Sequence, residues 1–240
     1  MLQSSGVDRL DLLHRYARGQ HNRLKKHNRV HVERFRAEEV STRTEEELRA
    51  ELRSLGYPRD SLEGFVTNRL DVREAVPVLL RDLPKIDDDA VKEQIVRGLT
   101  TPETKRVSPE AVSVLVDEFR KSDDDHLRWA IANALAEMAE EDDFDEIASL
   151  ARDQRYGKSR EMLALALGRM KKESRAVDVL LELLDDDVMA GHAIIGLRKL
   201  KAKRAKARIE PFREHDKGWV REEARKAVAA LEKASGGPVE

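Results

Sequence analysis

Residues 126–139 read HLRWAIANALAEMA, and they set the architecture of the chain around them. Leu127, Ala130, Ile131, Ala134, Leu135 and Met138 recur three and four residues apart, so they share one apolar face of a helix. Three aspartates, Asp123 to Asp125, stand in front. The short carboxylate of Asp125 suits a residue that caps the first free backbone N–H groups.

The same unit recurs on both sides. With Leu135 as anchor, the equivalents are Leu99, Leu167, Leu197 and Val228, at spacings of 36, 32, 30 and 31 residues. The residue before each anchor is small: Gly98, Ala134, Ala166, Gly196 and Ala227. Small side chains there let a neighbouring helix approach closely. Four before the anchor come Ile95, Ile131, Leu163, Ala193 and Ala224, and seven before come Lys92, Arg128, Arg160, Ala190 and Arg221. Three earlier again come Asp89, Asp125, Gly157, Asp187 and Gly218, all suited to a helix start. A first helix is expected ahead of each second one, at 72–84, 109–121, 144–153, 174–184 and 204–214. The unit is therefore helix, short acidic turn, helix.

This pattern resembles the HEAT-repeat family, in particular its bacterial bilin-lyase-like branch. The resemblance rests on the first helices (Ala75–Leu80, Ala111–Val116, Ala176–Leu181), on the second helix Leu127–Leu135, and on the acidic turn followed by a basic residue. It covers about two-thirds of the chain and implies an all-α fold: an α-solenoid of about five HEAT-like helical hairpins with an N-terminal helical cap. It also implies a ladder in which turn aspartates and second-helix cations link neighbouring repeats. Asp89 with Lys92 and Asp125 with Arg128 fit it. Ala190 opposite Asp187, and glycine at 157 and 218, predict a ladder broken in the later repeats.

Four segments follow: a basic N-terminal extension at 1–43, a cap at 44–71, the repeat array at 72–233 and a disordered tail at 234–240. In the cap, Thr44 and Glu47 have the spacing of a capping box, and Leu48, Leu52 and Leu55 form the apolar stripe of a helix that ends at Gly56.

Charged residues make up 38% of the chain and aromatics 4%, so Leu, Val, Ala and Ile must form the core, as stacked helices allow. With no cysteine, disulfides, thiol catalysis and Cys-based zinc sites are excluded. No apolar run approaches the ~18 residues of a membrane helix, and the first residues lack the apolar stretch of a signal peptide. The expected location is the cytoplasm, without membrane contact.

Trp129 stands where the other repeats carry Glu93, Glu161, Gly191 and Glu222, which marks a position facing solvent. Second helices line the concave surface in HEAT proteins, so the resemblance implies an exposed tryptophan there, a residue type that anchors protein interfaces. Asn133 lies one turn on, and Arg97 and Lys226 hold the equivalent position. Trp129, Asn133 and Arg97 are the expected partner-binding residues. Trp219 opens the last second helix and is expected to cap the end of the array.

Basic residues form two further candidates. Residues 14–36 hold eight Lys and Arg, including Arg23, Lys25, Lys26 and Arg29, against the single Glu33. The segment 198–208 includes Lys201, Lys203 and Arg204. Turns within repeats are acidic and turns between repeats largely basic, with Lys105, Arg106, Lys171, Lys172 and Lys199 on the basic side, which Glu140, Glu141, Asp142 and Asp143 interrupt. Clustered cations of this kind contact phosphates. No metal site is expected: His27 and His31 sit among cations, and the aspartate triplets lack the glycine and terminal Glu of a calcium loop.

A family of DNA glycosylases built from HEAT-like repeats has Trp followed one turn later by Asp. Here that residue is Asn133, and a neutral amide cannot stabilise developing positive charge as a carboxylate does. No nucleophile–base arrangement, phosphate-binding glycine loop or HExxH motif occurs, so no cofactor is expected. The leading expectation is a non-enzymatic adaptor or scaffold that binds a protein partner. The runner-up is nucleic-acid binding through the two basic segments.

Overall fold

The computed structural model describes residues 42–57 and 73–235, which fall in one compact unit beginning at Thr42. The expected extension up to residue 41, most of the cap after Tyr57 and the last five residues lie outside the described residues. Among the described residues every regular element is a helix.

Helix α1 (Glu45–Ser54) opens with the expected capping box. Thr44 Oγ1 accepts from the Glu47 N–H at 3.2 Å, and Glu47 accepts from the Thr44 N–H at 2.8 Å. Leu48 and Leu52 are buried, while Leu55 is exposed. Arg43, expected at the end of the extension, is tied to the array instead: it pairs with Glu51 at 2.5 Å and with the buried Asp82 at 2.8 Å.

Among the described residues, five helical pairs follow. The first helices are α2 (Ala75–Asp82), α5 (Ala111–Lys121), α7 (Phe144–Arg152), α9 (Arg175–Glu182) and α11 (Lys206–Ile209). The second helices are α3 (Asp89–Leu99), α6 (Asp125–Met138), α8 (Glu161–Leu167), α10 (Ala190–Lys199) and α12 (Gly218–Ser235). Each second helix packs on its own first helix and on the second helices beside it. The result is an all-α solenoid. Its spine is the anchor row Leu99, Leu135, Leu167, Leu197 and Val228, all buried. The end of α12 at Ser235 lies two residues past the expected end of the array.

The small residues before the anchors do what their size allows. A Cβ on Gly196 would lie 2.9 Å from the Ala164 carbonyl oxygen, so α8 and α10 come nearly to backbone contact. A Cβ on Gly168 would lie 2.5 Å from the Cα of Gly196.

Several expectations need correction. The spacing of 36 residues between Leu99 and Leu135 is accounted for by an additional helix, α4 (Pro102–Val107), in what was expected to be a turn between repeats. Its signal was Pro102, whose fixed φ suits a first helical position. The capping aspartate is the middle member of the first two triplets, while in the third the middle aspartate bonds within the turn and α10 starts after Met189 with no side-chain cap. Asp88 accepts from the N–H groups of Ala90 at 2.8 Å and Val91 at 3.1 Å, Asp124 accepts from Leu127 at 2.7 Å, and Asp186 accepts from Val188 at 3.0 Å. Asp89 and Asp125 are instead the first helical residues. The expected first helix at 204–214 is α-helical only over Lys206–Ile209, because Pro211 has no N–H to donate to the preceding turn.

The ladder is also different. Lys92 reaches Glu118 of the next repeat at 2.9 Å. Arg128 holds Asp125 at 3.2 Å and lies 5.4 Å from the Tyr156 ring of the next repeat. Arg160 is buried and donates to Asp186 of the next repeat at 2.8 Å. The later repeats therefore keep a rung, built from a different aspartate.

Candidate functional site

The exposed side of the second helices carries the expected partner-binding residues. Trp129 on α6 is 38% exposed, an unusual state for the largest apolar side chain. Asn133, one turn on, is half-buried. Arg97 on α3 is exposed, but it is paired along its own helix with Glu93 at 2.5 Å. Its charge is thus partly neutralised before any partner arrives.

Two residues were missed by the sequence reading. Leu165 on α8 and Ile195 on α10 stand two before their anchors, in the register of Asn133, and both are half-buried. Met162 lies one turn before Leu165 and is also half-buried. The leucine alignment contained this signal, since the same offset points to 165 and 195. The face thus runs from a neutralised Arg97–Glu93 pair, through Trp129, Met162, Leu165 and Ile195, to α12. There Lys226 is held by Glu223 at 3.0 Å and Glu222 at 3.7 Å, and Arg198 also reaches Glu223 at 3.0 Å. Its centre is apolar and its ends are self-paired.

Trp219 packs back onto the preceding repeat while staying 44% exposed. A Cβ on Gly191 would meet its ring at 2.1 Å, so only glycine leaves room for it. The ring lies 5.3 Å from His192, at an angle of 59°. Burial pushes the His192 pKa below the ordinary histidine value, against the opposing pull of the Glu161 carboxylate.

The opposite side, formed by the first helices, is laced with ion pairs between repeats. Arg120 pairs with Glu146, Arg152 with Glu182 at 2.7 Å, Arg175 with Asp145 at 2.9 Å and Arg208 with Asp185 at 2.7 Å. An open groove of about 530 Å³ between α7 and α9 is lined by Phe144, Ser149, Arg152, Arg175 and Asp178 among others. Arg175 stacks over the Phe144 ring at 4.3 Å, so this groove is partly closed by its own side chains.

Of the expected phosphate contacts, Arg23, Lys25, Lys26 and Arg29 lie outside the described residues. Lys201 and Lys203 are exposed. Arg204 is engaged with Asp178 at 2.5 Å. On the same side Lys105 is taken up by Asp143 at 2.5 Å and Glu140 at 3.2 Å, and Arg106 by Glu103 at 3.2 Å. Much of the expected basic edge is therefore neutralised internally.

The stacked pairs, the small residues between second helices and the rungs between repeats agree with a comparison of the sequence. Residues 112–190 match the model of HEAT repeats. This stretch of the chain carries HEAT repeats. The match is to HEAT repeats at large and does not extend to the narrower bilin-lyase-like branch. No curated protein matches the chain. Two crystal structures of engineered proteins, both structural-genomics targets, are similar to it. One superposes with a TM-score of 0.52 at 19% identity, over 72% of this chain and 87% of the other. The second gives a TM-score of 0.53 at 18% identity, over 78% of this chain and 98% of the other. Likeness at such identity speaks to the fold alone. Among the described residues no helix is long and apolar enough to cross a membrane.

Proposed function

We propose that this chain is a non-enzymatic scaffold that holds a protein partner on the exposed face of its second helices. The observation that carries the reading is Trp129. It is 38% exposed on a rigid helix whose opposite face is fully buried, and the half-buried Leu165 and Ile195 continue its apolar surface along neighbouring helices. A surface of that kind suits a partner's apolar side chains, because a pre-ordered tryptophan loses little conformational freedom on contact. The self-paired charges at either end form a polar rim. Asn133 offers an amide beside the tryptophan for orientation. Binding by surface complementarity needs no cofactor and no bond-making step.

The test is partner capture with the full chain and with Trp129→Ala. Loss of a protein that the wild type retains through moderate salt supports the reading. Equal retention by both proteins contradicts it.

A further inference from the structure

Arginine and lysine are used differently at the turns between the last repeats. The arginines are engaged with carboxylates of neighbouring elements: Arg169 with Glu137 at 2.9 Å, Arg198 with Glu223 at 3.0 Å and Arg204 with Asp178 at 2.5 Å. Lys171, Lys172, Lys199, Lys201 and Lys203 are all exposed, and none has a side-chain ion pair among the described residues. Lys171 and Lys172 come from the connection after α8, Lys199 ends α10, and Lys201 and Lys203 follow it. Gly168 and Gly196 bring the helices nearly to backbone contact, so both groups lie at the same ends of two adjacent second helices. Of the acids nearby, one is paired with an arginine and another accepts a backbone N–H. Glu173 is held by Arg175 at 2.7 Å, and Glu141 accepts from the Lys172 backbone N–H at 3.2 Å.

Lys201 adds a second observation. It closes α10 in the left-handed region, at φ 53°, with the Ala202 N–H returning to the Leu197 carbonyl at 3.0 Å. Glycine is the residue that fits this position without steric cost. The chain carries lysine there, in the middle of the unpaired group.

We propose that this lysine edge binds the phosphodiester backbone of a nucleic-acid duplex without reading its sequence. Flexible ammonium groups act as point charges that follow a phosphate row, whereas a planar guanidinium favours fixed bidentate geometry. The stretches 168–174 and 199–206 contain no Phe, Tyr or Trp. Single-strand binders present such rings for bases to stack on, so a duplex is the fitting ligand. The site is separate from the tryptophan face and does not depend on the scaffold reading.

The test is anisotropy of a labelled mixed-sequence DNA duplex against the full-length chain across a salt series, repeated with an RNA duplex to tell the two polymers apart. Each phosphate neutralised contributes about 0.9 to the slope of log K against log salt on a DNA duplex. Replacing Lys199, Lys201 and Lys203 together by Gln is expected to flatten that slope by up to about 2.7, with no preference among sequences. Lys201→Gly is expected to raise the thermal midpoint and still weaken duplex binding, a combination that a purely structural lysine would not give. An unchanged slope in the triple variant overturns the proposal. So does binding of a poly-glutamate peptide at this edge with no duplex binding, which would assign the surface to an acidic protein.

Discussion

Arg160 and Asp186 meet at 2.8 Å across the boundary between two repeats, with the Arg160 side chain only 2% exposed. The guanidinium also donates to the carbonyls of Ala151 at 3.0 Å and Gly157 at 2.9 Å. Each polar edge of a buried cation is therefore answered, which burial demands. Asp186 in turn accepts from the Val188 N–H, so one carboxylate links the buried cation to the turn that leads into α10.

Removing that carboxylate leaves the cation uncompensated. Asp186→Ala is expected to cost about 3–5 kcal/mol in urea unfolding, the range for one partner taken from a buried pair. Asp185→Ala removes only the exposed pair to Arg208 and is expected to cost about 0–1 kcal/mol. Equal losses in the two variants would show that Arg160 finds another partner.

The contact of α8 with α10 is expected to tolerate no added methyl group. Gly168→Ala puts a Cβ against the Gly196 backbone and is expected to destabilise the chain by about 1–3 kcal/mol. Gly191→Ala collides with the Trp219 ring, so the indole is expected to move into water. A red shift of tryptophan emission in a Trp129→Phe background would register that movement.

Acid is expected to loosen α1 from the array. Hydrogen bonds from Arg81, then Arg43, lower the Glu51 pKa from 4.5 to about 2. A carboxyl group depressed in the folded state stabilises the fold above its unfolded pKa, and that contribution fades as pH falls through the folded value. Thermal midpoints recorded between pH 4.5 and 2 should therefore fall less steeply for Glu51→Gln than for the wild type. Parallel slopes would show that the Arg43–Glu51–Arg81 contacts do not persist in solution.

The spine was readable because its spacing is set by packing. The residues at each anchor, and one and four before it, must be buried and small enough for helices to stack, so the sequence repeats them. The ion pairs were harder to foresee. Arg160 shows its helical register but not its reach, and its partner Asp186 lies in the turn of the next repeat. Asp88 and Asp124 cap where Asp89 and Asp125 were expected, since adjacent aspartates are chemically alike and backbone geometry alone selects between them. At the candidate site, the exposure of Trp129 followed from its polar equivalents. Leu165 and Ile195 were overlooked because an apolar residue on a helix is first counted as core. Arg97 and Arg204 looked free in the sequence and are paired in the fold.

The most direct measurement is capture from native extract after nuclease treatment, with full-length wild type and Trp129→Ala run side by side. The expected result is a stoichiometric protein that stays on the wild type through moderate salt and is lost from the variant. The same protein held equally by both would contradict binding on the second-helix face.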